Sequence, residues 1–146
     1  MEYREILLAE DDPRDIELTL SALDAQNLAN HVVVVQDGAA ALDYLYRRGV
    51  FSDRNPGDPV VVLLDLKMPK MDGLEVLKTV KGDPELGHIP VVVLTSSREE
   101  KDILDSYKLG VNAYVVKPVE FESFADAVRR IGLFWILTNE TPHGAT

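Results

Sequence analysis

The stretch VVVLLDLKMPKMDG, Val60 to Gly73, decides how this chain folds. Five aliphatic residues, Val60 to Leu64, read as a strand buried on both faces, the pattern of a parallel sheet covered by helices. A carboxylate, Asp65, follows at once, and Pro69 and the pair Asp72-Gly73 then turn the chain toward a new helix. An acid at the mouth of the most apolar strand is poorly explained by solubility alone.

Working outward, short β-branched runs recur at Glu5–Ala9, His31–Val35, Pro59–Leu64, Ile89–Thr95 and Ala113–Lys117. Between and after them lie helix-like segments, at Pro13–Leu28, Ala39–Arg48, Gly73–Lys81, Glu99–Leu109 and Phe121–Leu137. Strict alternation predicts an α/β fold: a doubly wound, five-stranded parallel sheet with five helices. Asp12-Pro13 suits a helix start, Ser97–Glu100 a capping box, and Gly110 a helix end. The stretch Arg48–Pro59 reads as a surface loop and residues 138–146 as an irregular tail, so 1–146 is expected to be one domain with its core at about 5–137.

Composition narrows the function. The chain has 146 residues, no cysteine and a formal charge of −10. Thiolate metal sites and disulfides are excluded, and so much negative charge argues against nucleic acid, whose binding rests on Lys and Arg. No apolar run is long enough for a membrane span, and the N-terminus lacks a signal peptide's basic start. A soluble cytoplasmic protein is the expectation.

In doubly wound sheets ligands bind beyond the C-terminal strand ends. Those ends carry Glu10-Asp11-Asp12, Asp65, Thr95-Ser96 and Lys117-Pro118; after the second run, Asp37-Gly38 is explained by a helix cap. Taken singly, the acid triplet suits a helix N-terminus, Thr95 to Ser97 suits capping, and Lys117 suits a solvated surface. Taken together, converging carboxylates would repel one another unless a divalent cation joined them. An oxygen-only donor set points to Mg²⁺, with Mn²⁺ as an alternative. A lysine and a hydroxyl beside the acids suit a phosphoryl group on Asp65. Lys117→Ala is expected to impair switching more than folding, since a strand-end lysine contributes little to the core.

The motifs LLAEDD, LLDLKMPKMDG, VVVLTSS and AYVVKP, in this order, resemble the receiver domain of two-component response regulators. The resemblance implies a flavodoxin-like receiver fold with Asp65 as phosphoacceptor. It implies a metal held by Glu10, Asp11, Asp65 and the main-chain carbonyl of Lys67, with Thr95 as switch hydroxyl and Tyr114 as switch aromatic. Lys117 would be the conserved-type lysine, preceding a cis Pro118. It further implies phosphoryl transfer from a sensor histidine kinase and a change of the face made by the fourth helix, fifth strand and fifth helix. Lys67 and Ser97 stand at positions that vary in the family and tune phosphoryl lifetime.

Phe121, Phe124, Val128, Ile131 and Trp135 share one helical face and suit core packing. Leu133, Phe134, Trp135, Ile136 and Leu137 are consecutive, however, and cannot all be buried on one sheet; a homodimer through this segment is the expectation. With the 48–59 loop, this ending is similar to the single-domain regulators paired with bacterial phytochromes. Phosphatase chemistry of the haloacid-dehalogenase type is disfavoured because Lys67 stands where its second Asp is needed. Neither GxGxxG nor GxxxxGK[ST] occurs. A pseudo-receiver that only binds partners is disfavoured by the complete phosphorylation set.

Overall fold

A computed structural model describes residues 5–24, 31–95, 105 and 107–130, apart from the side chains of Thr95, Phe121, Val128 and Arg130. Five strands form the sheet: β1 (Ile6–Ala9), β2 (Val32–Val35), β3 (Val61–Asp65), β4 (Val91–Thr95) and β5 (Ala113–Val116). Their order is β2-β1-β3-β4-β5 and every pairing is parallel. Parallel neighbours need crossovers, and the described residues supply four α-helices: α1 (Pro13–Asp24), α2 (Gly38–Tyr46), α3 (Gly73–Gly82) and α4 (Phe121–Arg130). The helix expected at 99–109 lies mostly outside the described residues; Asp105, Tyr107 and Lys108 are helical and Gly110 follows with φ +89°.

Alternation along the strands builds two cores. Leu7, Ala9, Val62, Leu64, Val91 and Val93 pack on one face with Tyr44 and Leu45 of α2 and Val76, Leu77 and Val80 of α3. Ile6, Leu8, Leu63, Val92, Leu94 and Val115 pack on the other with Leu23 of α1 and Phe124 and Ala127 of α4. Successive strand side chains point to opposite faces, so a continuous aliphatic run feeds both layers. Each large side chain so buried contributes about 1.5–3 kcal/mol.

Local chemistry sets the helix starts. Asp12 Oδ1 accepts from the N–H groups of Arg14 and Asp15 (2.8 and 3.2 Å), as the Asp12-Pro13 signal predicts. Asp37 accepts from Ala40 N–H (2.7 Å) and Asp72 from Glu75 N–H (2.9 Å). The 48–59 loop has more order than its composition implies. It contains a 3₁₀ turn at Gly49–Phe51. Arg54 pins it by donating to the carbonyls of Tyr44, Asn55 and Gly57 while stacking 4.1 Å from the Tyr44 ring.

Register positions the chemistry. The strand order reverses between β1 and β3, the crevice where doubly wound sheets bind ligands. Ala9 pairs with Leu64, so Glu10 and Asp11 emerge beside Asp65. Thr95 ends β4 opposite Val116, which places Lys117 one residue beyond β5.

Candidate functional site

Asp65 is the last residue of β3 and is 6% exposed; Glu10, just past β1, is fully buried. Ligand oxygens of Glu10, Asp11 and Asp65 all lie within 4.8 Å of one another. Asp11 opens onto a cleft that Lys67 and Met68 also line. The Lys67 N–H lies 3.4 Å from Asp65 Oδ1, tying the β3–α3 turn to the acid, while the Lys67 side chain is exposed.

Lys117 reaches into this cluster from β5, its side chain only 8% exposed. Its ammonium lies 2.5 Å from Glu10 Oε1, 2.9 Å from Asp15 Oδ2 and 3.4 Å from Asp65 Oδ1. Glu10 Oε2 accepts from Asp12 N–H at 3.3 Å, whereas Oε1 has the ionic contact with Lys117 but no partner in hydrogen-bond geometry. Burial pushes Glu10 up to about 7, Lys117 pulls the other way, and Asp65 adds to the rise. Burial works to lower Lys117, but the carboxylates of Glu10 and Asp15 in direct contact with it, with Asp65 close by, outweigh burial and hold the ammonium above the ordinary lysine range.

A divalent cation fits this donor set. Three carboxylates converge, one of them buried with an oxygen lacking hydrogen-bond geometry, and one ammonium cannot neutralise Glu10, Asp11, Asp15 and Asp65 together. All donors are oxygens and Asp11 is solvent-accessible, which suits an ion that retains several waters.

The remaining expected residues fall where the register takes them. Tyr114 on β5 is half-buried, and its ring meets Tyr107 edge-on, with centroids 5.6 Å apart and planes at 82°. Tyr107 is 46% exposed. The Lys117–Pro118 peptide is cis. Thr95 ends β4 next to the acids, with its side chain outside the described residues. Also outside them lie Ser97 to Glu100, with the expected capping box, and Leu133, Phe134, Trp135, Ile136 and Leu137. Asp15 was not anticipated: an acid in the first turn of a helix is explained by the dipole, and only the fold brings it to Lys117. The lysine is thus no solvated strand-end charge: its side chain is buried against three carboxylates.

The family model of the response regulator receiver domain matches residues 6–129. The chain belongs to the response regulator receiver family. The receiver is 64% identical to the bacteriophytochrome response regulator AtBRR, with a TM-score of 0.85 over 92% of this chain and 96% of that one. It is 58% identical to the bacteriophytochrome response regulator RtBRR, with a TM-score of 0.86 over 98% of this chain and 86% of that one. Response regulator Rcp1 of Synechocystis sp. is 39% identical over 137 residues, which cover 94% of the receiver and 92% of Rcp1. A solved structure of Rcp1 is a Mn²⁺-bound form, matched with a TM-score of 0.74 over 98% of this chain and 97% of that one. The receiver therefore resembles phytochrome-associated regulators along nearly its whole length.

Proposed function

We propose that this chain is a receiver that accepts a phosphoryl group on Asp65 from a sensor histidine kinase in a metal-dependent reaction. The observation that carries the reading is the meeting of Glu10, Asp11 and Asp65 within 4.8 Å under the ammonium of Lys117. The carboxylate of Asp65 attacks phosphorus, an O–P bond forms, and the N–P bond of the phosphohistidine breaks to return a neutral imidazole on the kinase. Asp65 is held for this by a rigid central strand, because in-line transfer needs close positioning of the nucleophile. Glu10, Asp11, Asp65 and the carbonyl of Lys67 are the groups to hold Mg²⁺, or Mn²⁺ in its place. A cation bound there supplies charge neutralisation between the acceptor and the incoming phosphoryl oxygens.

Lys117 contributes the second positive charge and Thr95 a hydroxyl donor to the phosphoryl oxygens. Tyr114 turns inward as Thr95 moves, and the face made by the segment at 99–109, β5 and α4 changes shape. That is a two-state equilibrium biased by contacts made only in the phosphorylated form. The similarity to AtBRR, RtBRR and Rcp1 favours a bacteriophytochrome as the kinase.

Acetyl phosphate with Mg²⁺ should add one phosphoryl group to the intact protein, read by mass spectrometry. Asp65→Asn should abolish the adduct, and EDTA should suppress it. An adduct of equal yield in Asp65→Asn would contradict the assignment. The chain is further proposed to work in the cytoplasm as a homodimer through Leu133–Leu137. Light scattering at micromolar concentration should give twice the chain mass, and a monomer mass with and without acetyl phosphate would rule the dimer out.

A further inference from the structure

We propose that Asp15 is a positioning residue that competes with the phosphoryl group for Lys117 and so weakens the phosphorylated state; the inference rests on Asp65 being the phosphoacceptor. Lys117 has three N–H donors and meets three carboxylates, and its distances to them are unequal. The ammonium leans toward the Glu10 and Asp15 side, at 2.5 and 2.9 Å, and stands 3.4 Å from Asp65. Of those partners, Glu10 and Asp65 also belong to the cluster suited to a cation. Asp15 lies outside that cluster, and its carboxylate has no other polar contact among the described residues, so that carboxylate serves the lysine alone.

The placement has a mechanical basis. Asp15 sits in the first turn of α1, whose start is fixed by the Asp12 cap. It approaches Lys117 across a sequence separation of 102 residues, joining α1 to the end of β5. When Asp65 carries a phosphoryl group, the ammonium must shorten its contact on that side. A charge-assisted contact to Asp15 opposes the shift, and the acid's own charge repels the phosphoryl oxygens. Removing the charge at Asp15 frees the ammonium for the phosphoryl oxygens.

Beryllofluoride, which mimics a phosphoryl group on a carboxylate, provides the test with the full chain in saturating Mg²⁺. Asp15→Asn should lower the half-saturating beryllofluoride concentration roughly fivefold, the scale of one charge-assisted contact, and lengthen the acetyl-phosphate-derived adduct's half-life in proportion. Asp15→Glu should stay near wild type. In the Lys117→Ala background the Asp15→Asn gain should fall below about twofold, since its target is gone. Asp12→Asn removes the same charge from the same turn while keeping a competent cap, and should not reproduce the gain. That control holds even where Lys117→Ala does not fold. An Asp15→Asn half-saturation equal to or weaker than wild type, or an equal gain in Asp12→Asn, overturns the inference. Wild type that takes up no beryllofluoride overturns the phosphoacceptor reading itself, which separates the two failures.

Discussion

Lys117→Ala is expected to cost the metal-free protein about 3 kcal/mol of stability, the scale for removing one partner of a buried ion pair. The lysine is nearly buried and is the cation in contact with Glu10, Asp15 and Asp65. Its loss leaves those acids to repel one another in a low-dielectric site. Protonation of Glu10 relieves part of that cost. Its carboxyl already sits at about 7 in the fold against an ordinary 4.5, and losing the ammonium raises it further. A carboxyl with a raised folded pKa binds its proton more tightly when native, so its contribution is most favourable at low pH and is lost as pH rises from about 4.5 through the folded value. The gap between variant and wild type should therefore be larger at pH 8 than at pH 6. Mg²⁺ should narrow it by supplying the missing positive charge. Urea unfolding in EDTA and in Mg²⁺ at the two pH values measures all of this. A variant as stable as wild type in EDTA at pH 8 would contradict the electrostatic account.

Gly73→Ala is the second large effect. A Cβ at Gly73 would lie 2.2 Å from the main-chain oxygen of Asp65 and 2.7 Å from Leu66 Cα. Both are backbone atoms and cannot swing aside, and the Gly73 N–H donates to the Leu66 carbonyl at 2.9 Å. The start of α3 or the end of β3 must move. The expected loss is about 3 kcal/mol, at the upper end for overpacking. The gain from restricting the unfolded chain, about 0.4–1 kcal/mol, does not offset it. Because the displaced backbone is that of Asp65, acetyl-phosphate labelling should fall as well. Gly82→Ala, at the other end of the same helix, meets no atom within 4 Å and serves as the control, neutral or slightly stabilising. Equal stability and labelling in the two variants would show that the close approach at Gly73 is not what places the acid.

The contrast between Gly73 and Asp15 shows what the sequence could reveal. The run Val60 to Leu64, the acid after it and the turn ending in Asp72-Gly73 announced a buried strand with chemistry at its tip. That inference is local, and the parallel sheet repeats it at each strand. Asp65 proves to be the last residue of β3 and not the first beyond it, a shift of one position that leaves its side chain at the same mouth. The convergence of Glu10 and Asp11 on Asp65 followed from strand order, which alternation of strands and helices suggests and the Ala9–Leu64 register makes concrete.

Asp15 was hidden because its neighbours in sequence explain it fully as a helix-start acid. Its partner lies 102 positions away, and no short-range pattern encodes that pairing. Tyr107 was hidden similarly: it reads as one residue of an amphipathic helix, and only folding sets its ring against Tyr114. The order of the 48–59 loop depends on Arg54 reaching back to α2, again a tertiary contact inside a segment whose composition signals only turns.

On the proposed reading, acids from two strand ends, β1 and β3, hold one divalent ion between them. A calorimetric titration of Mg²⁺ into the metal-stripped chain, repeated with Asp11→Asn and Asp65→Asn, tests this most directly. One ion per wild-type chain, with affinity lowered at least tenfold by each substitution, is the expected result, a loss of about 1.4 kcal/mol or more. Binding that survives both substitutions unchanged, or no binding by wild type, would contradict it.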